Sequence, residues 1–376
     1  MKTTIPPILL AAMALDLGGA ETHVISLARE LKRRGHKVMV ASAGGRMISM
    51  LADVGIPHVE VPMASRSPVV LFRAYRRLRR LLQEQEIGLV HAHARIPAWL
   101  TSLALGGRPM PFVTTYHGVY NAGFPWKYLT TFGQRTIAVS DDVRRHLIER
   151  LGAPADQVRV VANGFDTNLF RPGLDIAPLL TEFGVQASGP HVVHASRLDS
   201  HFADATMTLL DALPLIEREI PGVRLWVLGD GDRGDEVRRR AEELNRQMGR
   251  QAAMAVGFRL DVPRFMNLAD CVVAVARTAI EGMACARALV IAGEGGYRGI
   301  LTPERLNDWY AANFTAREGG RALNVQEMAA DVVSLLKPDA SALREKYGEA
   351  GRRFVVENLS IEAITTQILD VYAEVL

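Results

Sequence analysis

Short apolar runs alternate along the chain with longer segments whose apolar positions recur every three or four residues. In the first half the runs HKVMVAS, HVEVP, GLVHAH, PFVTTYH and TIAVS have strand length, and VVLFRAYRRLRRLLQEQ and DDVRRHLIERLG between them carry the helical period. Strands this apolar, interleaved with helices, predict a parallel sheet covered on both faces. The rhythm breaks in RVVANGFDTNLFRPGLDIAP, where Gly, Pro and Asn accumulate, and we place a linker at 166–186. A second alternation starts at HVVHASRL and continues through VRLWVLGDGD, AMAVGF, CVVAVA and ALVIAG, with DATMTLLDALPLIERE and RGDEVRRRAEELNRQ as helices. Two further helical patterns, SALREKYGEAGRRFVVENL and SIEAITTQILDVYAEVL, close the chain. The expected architecture is α/β: two Rossmann-like, doubly wound parallel-sheet domains over 1–170 and 186–355, then a helix over 356–376. Ligands of such sheets bind beyond the carboxyl ends of the strands, so two facing domains would hold the site in the cleft between them.

The opening stretch MKTTIPPILLAAMALDLGGAET has the lysine, apolar run and small residues of an export signal. It also reads as a buried first strand, and we prefer that reading. Pro6 and Pro7 precede a run of strand length, Asp16 interrupts it, and Gly18-Gly19 lead into the amphipathic ETHVISLARELKRRG. No later run of about 20 uncharged apolar residues follows, so no spanning helix is expected. A cytoplasmic protein is the expectation, either free or peripheral at the inner face of a membrane.

Composition narrows this little further. With 376 residues, 48% hydrophobic and 23% charged, the chain is globular and long enough for two cores. A formal net charge of +3 argues against general nucleic-acid binding. Cys271 and Cys285 lie among small apolar residues and read as buried thiols, and no Cys/His spacing suits a metal.

Several residues could carry chemistry. Gly18 and Gly19 open the first helix, where glycine lets amides approach an anion; a tight turn without a ligand explains them equally. Glu21 suits the helix dipole. His91 and His93, in HAHAR with Arg95, share one strand face and read as a polar cleft edge; a metal pair would need a third ligand. His117 ends another strand before a glycine and would reach the cleft as donor or acceptor. Arg197 follows a strand, where its fork suits a phosphate; a surface ion pair with Asp199 is the alternative. The two aspartates of LGDGD read as a plain loop. Glu281 lies in a short helix starting near Thr278, whose first amides (Arg277, Thr278, Ala279) suit a diphosphate and whose carboxylate suits two ribose hydroxyls. Arg73, Arg76, Arg77 and Arg80 share one helix face opposite Leu71, Tyr75, Leu78 and Leu82. That face is either simply solvated or a dock for anionic headgroups.

Taken in order, LGGAETHVISLARELKRRGHKVMVAS, TTYHG, IAVSDDVRRHL, VRVVANGFDTNLFRP, ASRLDS, PGVRLWVLGDGD and IEGMACARALVIAG resemble the family-4 glycosyltransferases across nearly the whole chain. The resemblance implies the two-domain GT-B fold and transfer from a nucleotide sugar (a UDP- or GDP-sugar), usually with retention, with no cofactor or metal required. It implies an acceptor-binding first domain, a donor-binding second domain and a last helix that crosses back to the first. It places Gly18 and Gly19 near the donor diphosphate, His117 near the transferring sugar, Arg197 on the diphosphate and Glu281 on the ribose. A glycan or lipid-linked acceptor of cell-envelope or surface-polysaccharide synthesis follows from it. Two positions depart from the pattern. Val273 stands where the first glutamate of Glu-x7-Glu would fall, and Phe202 where a lysine usually follows the arginine. Arg277 or His201 could replace that lysine's charge. A non-catalytic nucleotide-sugar or glycan-binding relative, an epimerase of the same fold and an exported solute-binding protein remain as rivals.

Overall fold

The apolar runs become strands because β-branched and leucine side chains fill both faces of a covered sheet. The structure, a computed structural model, describes residues 5–16, 18–186, 189–317 and 319–376. It divides into two units, one of Met1–Asp166 with Asn358–Leu376 and one of Thr167–Glu357. Lys2, which prompts the export-signal reading, lies outside the described residues.

The first unit contains β1 (Ile8–Ala11), α1 (Gly19–Arg33), β2 (Val38–Ser42), α2 (Ser49–Ala52), β3 (His58–Glu60), α3 (Pro68–Glu84), β4 (Leu89–His93), α4 (Arg95–Leu105), β5 (Phe112–Tyr116), β6 (Arg135–Ala138), α5 (Asp141–Glu149) and β7 (Val158–Val160). The strands are all parallel, in the order β3-β2-β1-β4-β5-β6-β7. The order reverses between β1 and β4, whose carboxyl ends therefore flank a switch point. On α1 the residues Val24, Ile25, Leu27, Ala28 and Leu31 are buried. Each fully buried Leu or Ile contributes roughly 1.5–3 kcal/mol.

The second unit contains α6 (Ala177–Phe183), β8 (His191–Ala195), α7 (Ala203–Glu219), β9 (Arg224–Leu228), α8 (Gly234–Met248), β10 (Ala253–Gly257), α9 (Val262–Leu268), β11 (Cys271–Ala274), α10 (Ala276–Ala284), β12 (Ala288–Gly293), β13 (Gly296–Ile300), α11 (Leu306–Ala311), α12 (Val325–Leu336) and α13 (Ser341–Asn358). Its sheet order is β10-β9-β8-β11-β12-β13, with the switch between β8 and β11. One expectation needs correction: this sheet is not wholly parallel, because β13 folds back antiparallel on β12. Gly295 and Gly296, at φ 90° and 114°, make the tight return. A Cβ on Gly295 would also lie 2.6 Å from the Arg317 nitrogen. The stretch read as a linker is packed onto this unit. Leu179 is buried, the Leu174 amide bonds Asn267, and Arg352 donates to the Thr167 and Phe170 carbonyls.

The last helix, α14 (Ile361–Ala373), belongs to the first unit. Arg34, which caps the end of α1, donates to the Glu362 carbonyl at 2.6 Å. The Phe165 amide donates to the Leu359 carbonyl, and the Ile361 amide donates to the Phe165 carbonyl. The Tyr372 hydroxyl meets Nδ1 of His91 at 2.8 Å. Among the described residues no helix is long and apolar enough to cross a membrane.

Candidate active site

In the second unit Arg197 lies beyond the end of β8, and α10 begins beyond the end of its neighbour β11. Only Val275 separates β11 from α10, and Ala276 takes φ 50° to make so short a connection. The helix thus starts two residues before Thr278, and Glu281 falls in its second turn. Nε of Arg277 donates to Oε1 of Glu281 at 3.1 Å, with 35% and 12% of the two side chains exposed. Burial raises the Glu281 pKa, and the Arg277 guanidinium pulls it back. No side chain caps α10. The Ala276 amide bonds the Phe314 carbonyl, and the Ala279 amide bonds the Val275 carbonyl at 3.3 Å. Ala279 therefore has no N–H to offer an anion, contrary to expectation. Among the described residues the Thr278 amide has no acceptor.

Val273 lies inside β11, fully buried and paired with His194 and Val290. Counting eight residues back from Glu281 therefore lands inside the sheet and not on a loop. The guanidinium of Arg197 lies over the Phe202 ring, 4.1 Å from its centroid, while Asp199 accepts from the Asp232 amide instead of pairing with Arg197. His201 is exposed. In LGDGD the aspartates bond the amides of Gly231 and Ser200, which is loop chemistry. No group of three His, Cys, Asp or Glu residues among those described could hold a metal. Both cysteines are buried free thiols, and burial pushes that of Cys285 up to about 12.

In the first unit Gly18 caps α1 in extended backbone, a conformation open to any residue, and its carbonyl accepts from the Thr22 hydroxyl at 2.7 Å. Gly19 is the first helical residue, and Glu21 sits in the first turn. His91 and His93 do share a face, but both are buried instead of lining an edge: Tyr372 of α14 closes over His91, and His117 lies against His93. Their rings lie 4.1 Å apart. His91 is held by Tyr372 and by the Thr115 hydroxyl at 2.6 Å. Nδ1 of His93 meets Nε2 of His117 at 3.1 Å, and Nδ1 of His117 meets Oδ1 of Asn163 at 2.8 Å. With Asn163 accepting, His117 carries its proton on Nδ1 and receives the His93 N–H on Nε2. Both ring nitrogens are engaged within the unit, so in this arrangement the ring is not the donor or acceptor expected for a ligand. Burial drives the pKa of His117 down to about 4, and burial with the His117 charge drives His91 to about 3. His23, whose Nδ1 accepts from the Gly164 amide, completes the cluster.

On α3, Arg73, Arg76 and Arg77 are exposed, Arg80 pairs with Glu84, and Arg79 donates to the Tyr75 hydroxyl. Leu78 and Leu82 are buried beneath. Sequence reasoning did not anticipate the contacts made by Asn163 and His23, nor the seating of Arg197 on Phe202. These join residues far apart in the chain, or opposed in polarity, and leave no periodic signal.

The fold is shared with solved structures of nucleotide-sugar enzymes. A glycosyltransferase from Rickettsia africae superposes with a TM-score of 0.79 over 98% of both chains at 22% identity. Anabaena HepE, solved in complex with UDP-glucose, gives 0.72 over 98% of this chain and 100% of that one at 20% identity. These likenesses define a GT-B architecture. Residues 17–169 match the model of Glycosyltransferase Family 4, and residues 189–338 match that of Glycosyl transferases group 1. The chain belongs to the family-4 glycosyltransferases and is a glycosyltransferase. It is 25% identical to the phosphatidyl-myo-inositol mannosyltransferase of Mycobacterium tuberculosis, covering 95% of this chain and 93% of that protein. It is 26% identical to the alpha-maltose-1-phosphate synthase of the same organism, covering 76% and 79%.

Proposed function

We propose that the chain moves a sugar, with retention, from a UDP- or GDP-sugar on the second unit to a glycan or lipid-linked acceptor on the first, in cell-envelope synthesis. The observation that carries this reading is the Glu281–Arg277 pair on an uncapped helix at the switch point of the second unit. An ionised Glu281 can accept from both hydroxyls of a ribose. That would release Arg277 toward the diphosphate, where it would supply the charge of the missing lysine. Arg197 and the Thr278 amide supply further donors to the leaving group. Among the described residues no carboxylate nucleophile stands out at this switch point, which suits departure and attack on one face of the sugar. His117, neutral at physiological pH, shapes the acceptor side without bearing a charge. The acceptor side would work against an anionic membrane surface, with Arg73, Arg76 and Arg77 facing headgroups and Arg80 adding less because Glu84 neutralises it.

The test is a thermal-shift screen with UDP, GDP, ADP and their sugar conjugates. A ligand that binds only the folded chain stabilises it by about 2.7 kcal/mol at a hundredfold excess over Kd. One nucleotide is expected to raise Tm, and Glu281→Ala to abolish the rise. No shift with any of them would remove the donor reading.

A further inference from the structure

We propose that the first unit holds a binding site for a phosphate ester at the amino-terminal end of α4, with Arg95 as the residue that reads the acceptor's phosphate. The proposal rests on the acceptor role given to this unit above. Arg95 is only 7% exposed, yet it has no anionic partner. Its Nη2 donates to one carbonyl, that of Asn121, at 2.7 Å. Its face lies on the rings of Tyr120 and Trp126, 5.3 and 5.9 Å from their centroids. Nε is buried without an acceptor. Among the described residues no carboxylate reaches ion-pair distance of Arg95. A guanidinium held among rings without a counter-charge is a costly arrangement that an incoming anion relieves.

The helix end points the same way. No side chain caps the 11-residue α4. Among the described residues the amides of Arg95 and Ile96 have no acceptor, Pro97 has no N–H, and the Ala98 amide bonds the Ala94 carbonyl. Two amides at this helix end and Nε of its first residue are thus donors without acceptors among the described residues. Ala94, at φ 76°, makes the abrupt turn from β4 that puts Arg95 there. β4 is one of the two strands at the unit's switch point, where open sheets of this kind bind ligands. A second cation, Arg66, lies on the same Trp126 ring at 5.4 Å. A tetrahedral phosphate has oxygens enough for the fork and both amides together, whereas a planar carboxylate has two. The Asn121 carbonyl is then a placeholder that a phosphate oxygen replaces. The phosphate belongs either to a lipid headgroup or to a soluble sugar or polyol phosphate.

The full chain is titrated with glycerol 3-phosphate, and separately with phosphatidylcholine vesicles with and without phosphatidic acid. Tryptophan fluorescence is the readout, since Trp126 lies against Arg95. A saturable response is expected, weakened about tenfold or more in Arg95→Gln and less in Arg95→Lys, which keeps charge but not fork. A response to glycerol 3-phosphate assigns the phosphate itself. A response to phosphatidic acid alone that Arg95→Gln abolishes assigns the headgroup. The vesicle arm is run with Arg73, Arg76 and Arg77 replaced by glutamine, which removes adsorption through α3; a response to either probe that is unchanged in Arg95→Gln overturns the proposal, as does a chain that responds to neither. Circular dichroism checks folding, and if Arg95→Gln does not fold, Arg95→Lys decides: affinity equal to wild type overturns the site. The UDP thermal shift is read in parallel. Its absence beside intact phosphate binding removes the donor reading and leaves this site.

Discussion

Arg277 and Glu281 stand four residues apart on one helix, so the guanidinium bears directly on the carboxyl. Burial raises the Glu281 pKa and Arg277 opposes the rise. The carboxylate accepts hydrogen bonds from hydroxyls on both oxygens, and protonation turns one oxygen into a donor. Donor binding should therefore weaken as pH falls through the Glu281 pKa. UDP-glucose is the suitable probe because its diphosphate has no proton to lose near neutrality. In Arg277→Ala the opposing charge is gone, and the loss of affinity should begin at higher pH. Turnover at alkaline pH should also drop about 100-fold, through a leaving group deprived of one cation. Calorimetric titrations of UDP-glucose from about pH 5 to 8, with initial rates, check both. Unchanged affinity and rate in the variant would eliminate Arg277 from the donor site.

At the scale of elements, β4 and β5 bury a row of imidazoles, and that row makes stability depend on pH. His91 and His117 titrate near 3 and 4 in the fold against 6.5 in the unfolded chain, so between these values the unfolded chain binds more protons. Stability is therefore greatest above 6.5 and falls as pH drops from there toward 4. Thermal melts should show Tm declining from pH 7 to pH 5, with a shallower decline in His117→Asn; an equal slope would mean that His117 is not buried neutral. The strands that build this row were legible as apolar runs, and the shared face of His91 and His93 followed from strand alternation. Their depth was not legible, because it depends on Tyr372, 281 positions away from His91. α4 was hidden for another reason. RIPAWLTSLAL is apolar around most of its circumference and carries Pro97 in its first turn, so it offers no polar face to count. The β12–β13 hairpin was missed because GYRGI has too few apolar residues to read as a strand. Arg277 and Glu281 were legible as candidates from their place after an apolar run, but their ion pair needed the true start of the helix.

For the whole molecule, charge is distributed by face more than by sum. A net +3 over 376 residues is small, yet α3 exposes Arg73, Arg76 and Arg77 in two turns, beside Phe72 and Val69, which are 59% and 62% exposed. Basic residues near anionic headgroups each contribute about 1 kcal/mol, and apolar neighbours add burial in the interface. Flotation is expected with phosphatidylglycerol vesicles and not with phosphatidylcholine, weakening with salt and lost when the three arginines become glutamines. Absence of flotation at low salt would return α3 to a solvated face.

The return of α14 to the first unit has a consequence in time. That unit begins at the amino terminus, but Tyr372, which caps the imidazole row, and Glu362, which anchors Arg34, are made after the whole of Thr167–Glu357. A ribosome working at about 5–20 residues per second needs roughly 10–40 seconds to cross that interval. During it the second unit, one unbroken stretch of chain, has every residue it needs, while the first waits with His91 uncovered. The domain that is first in sequence is the last to be finished, and a nascent chain stalled before residue 372 would present that opening to any chaperone or protease nearby.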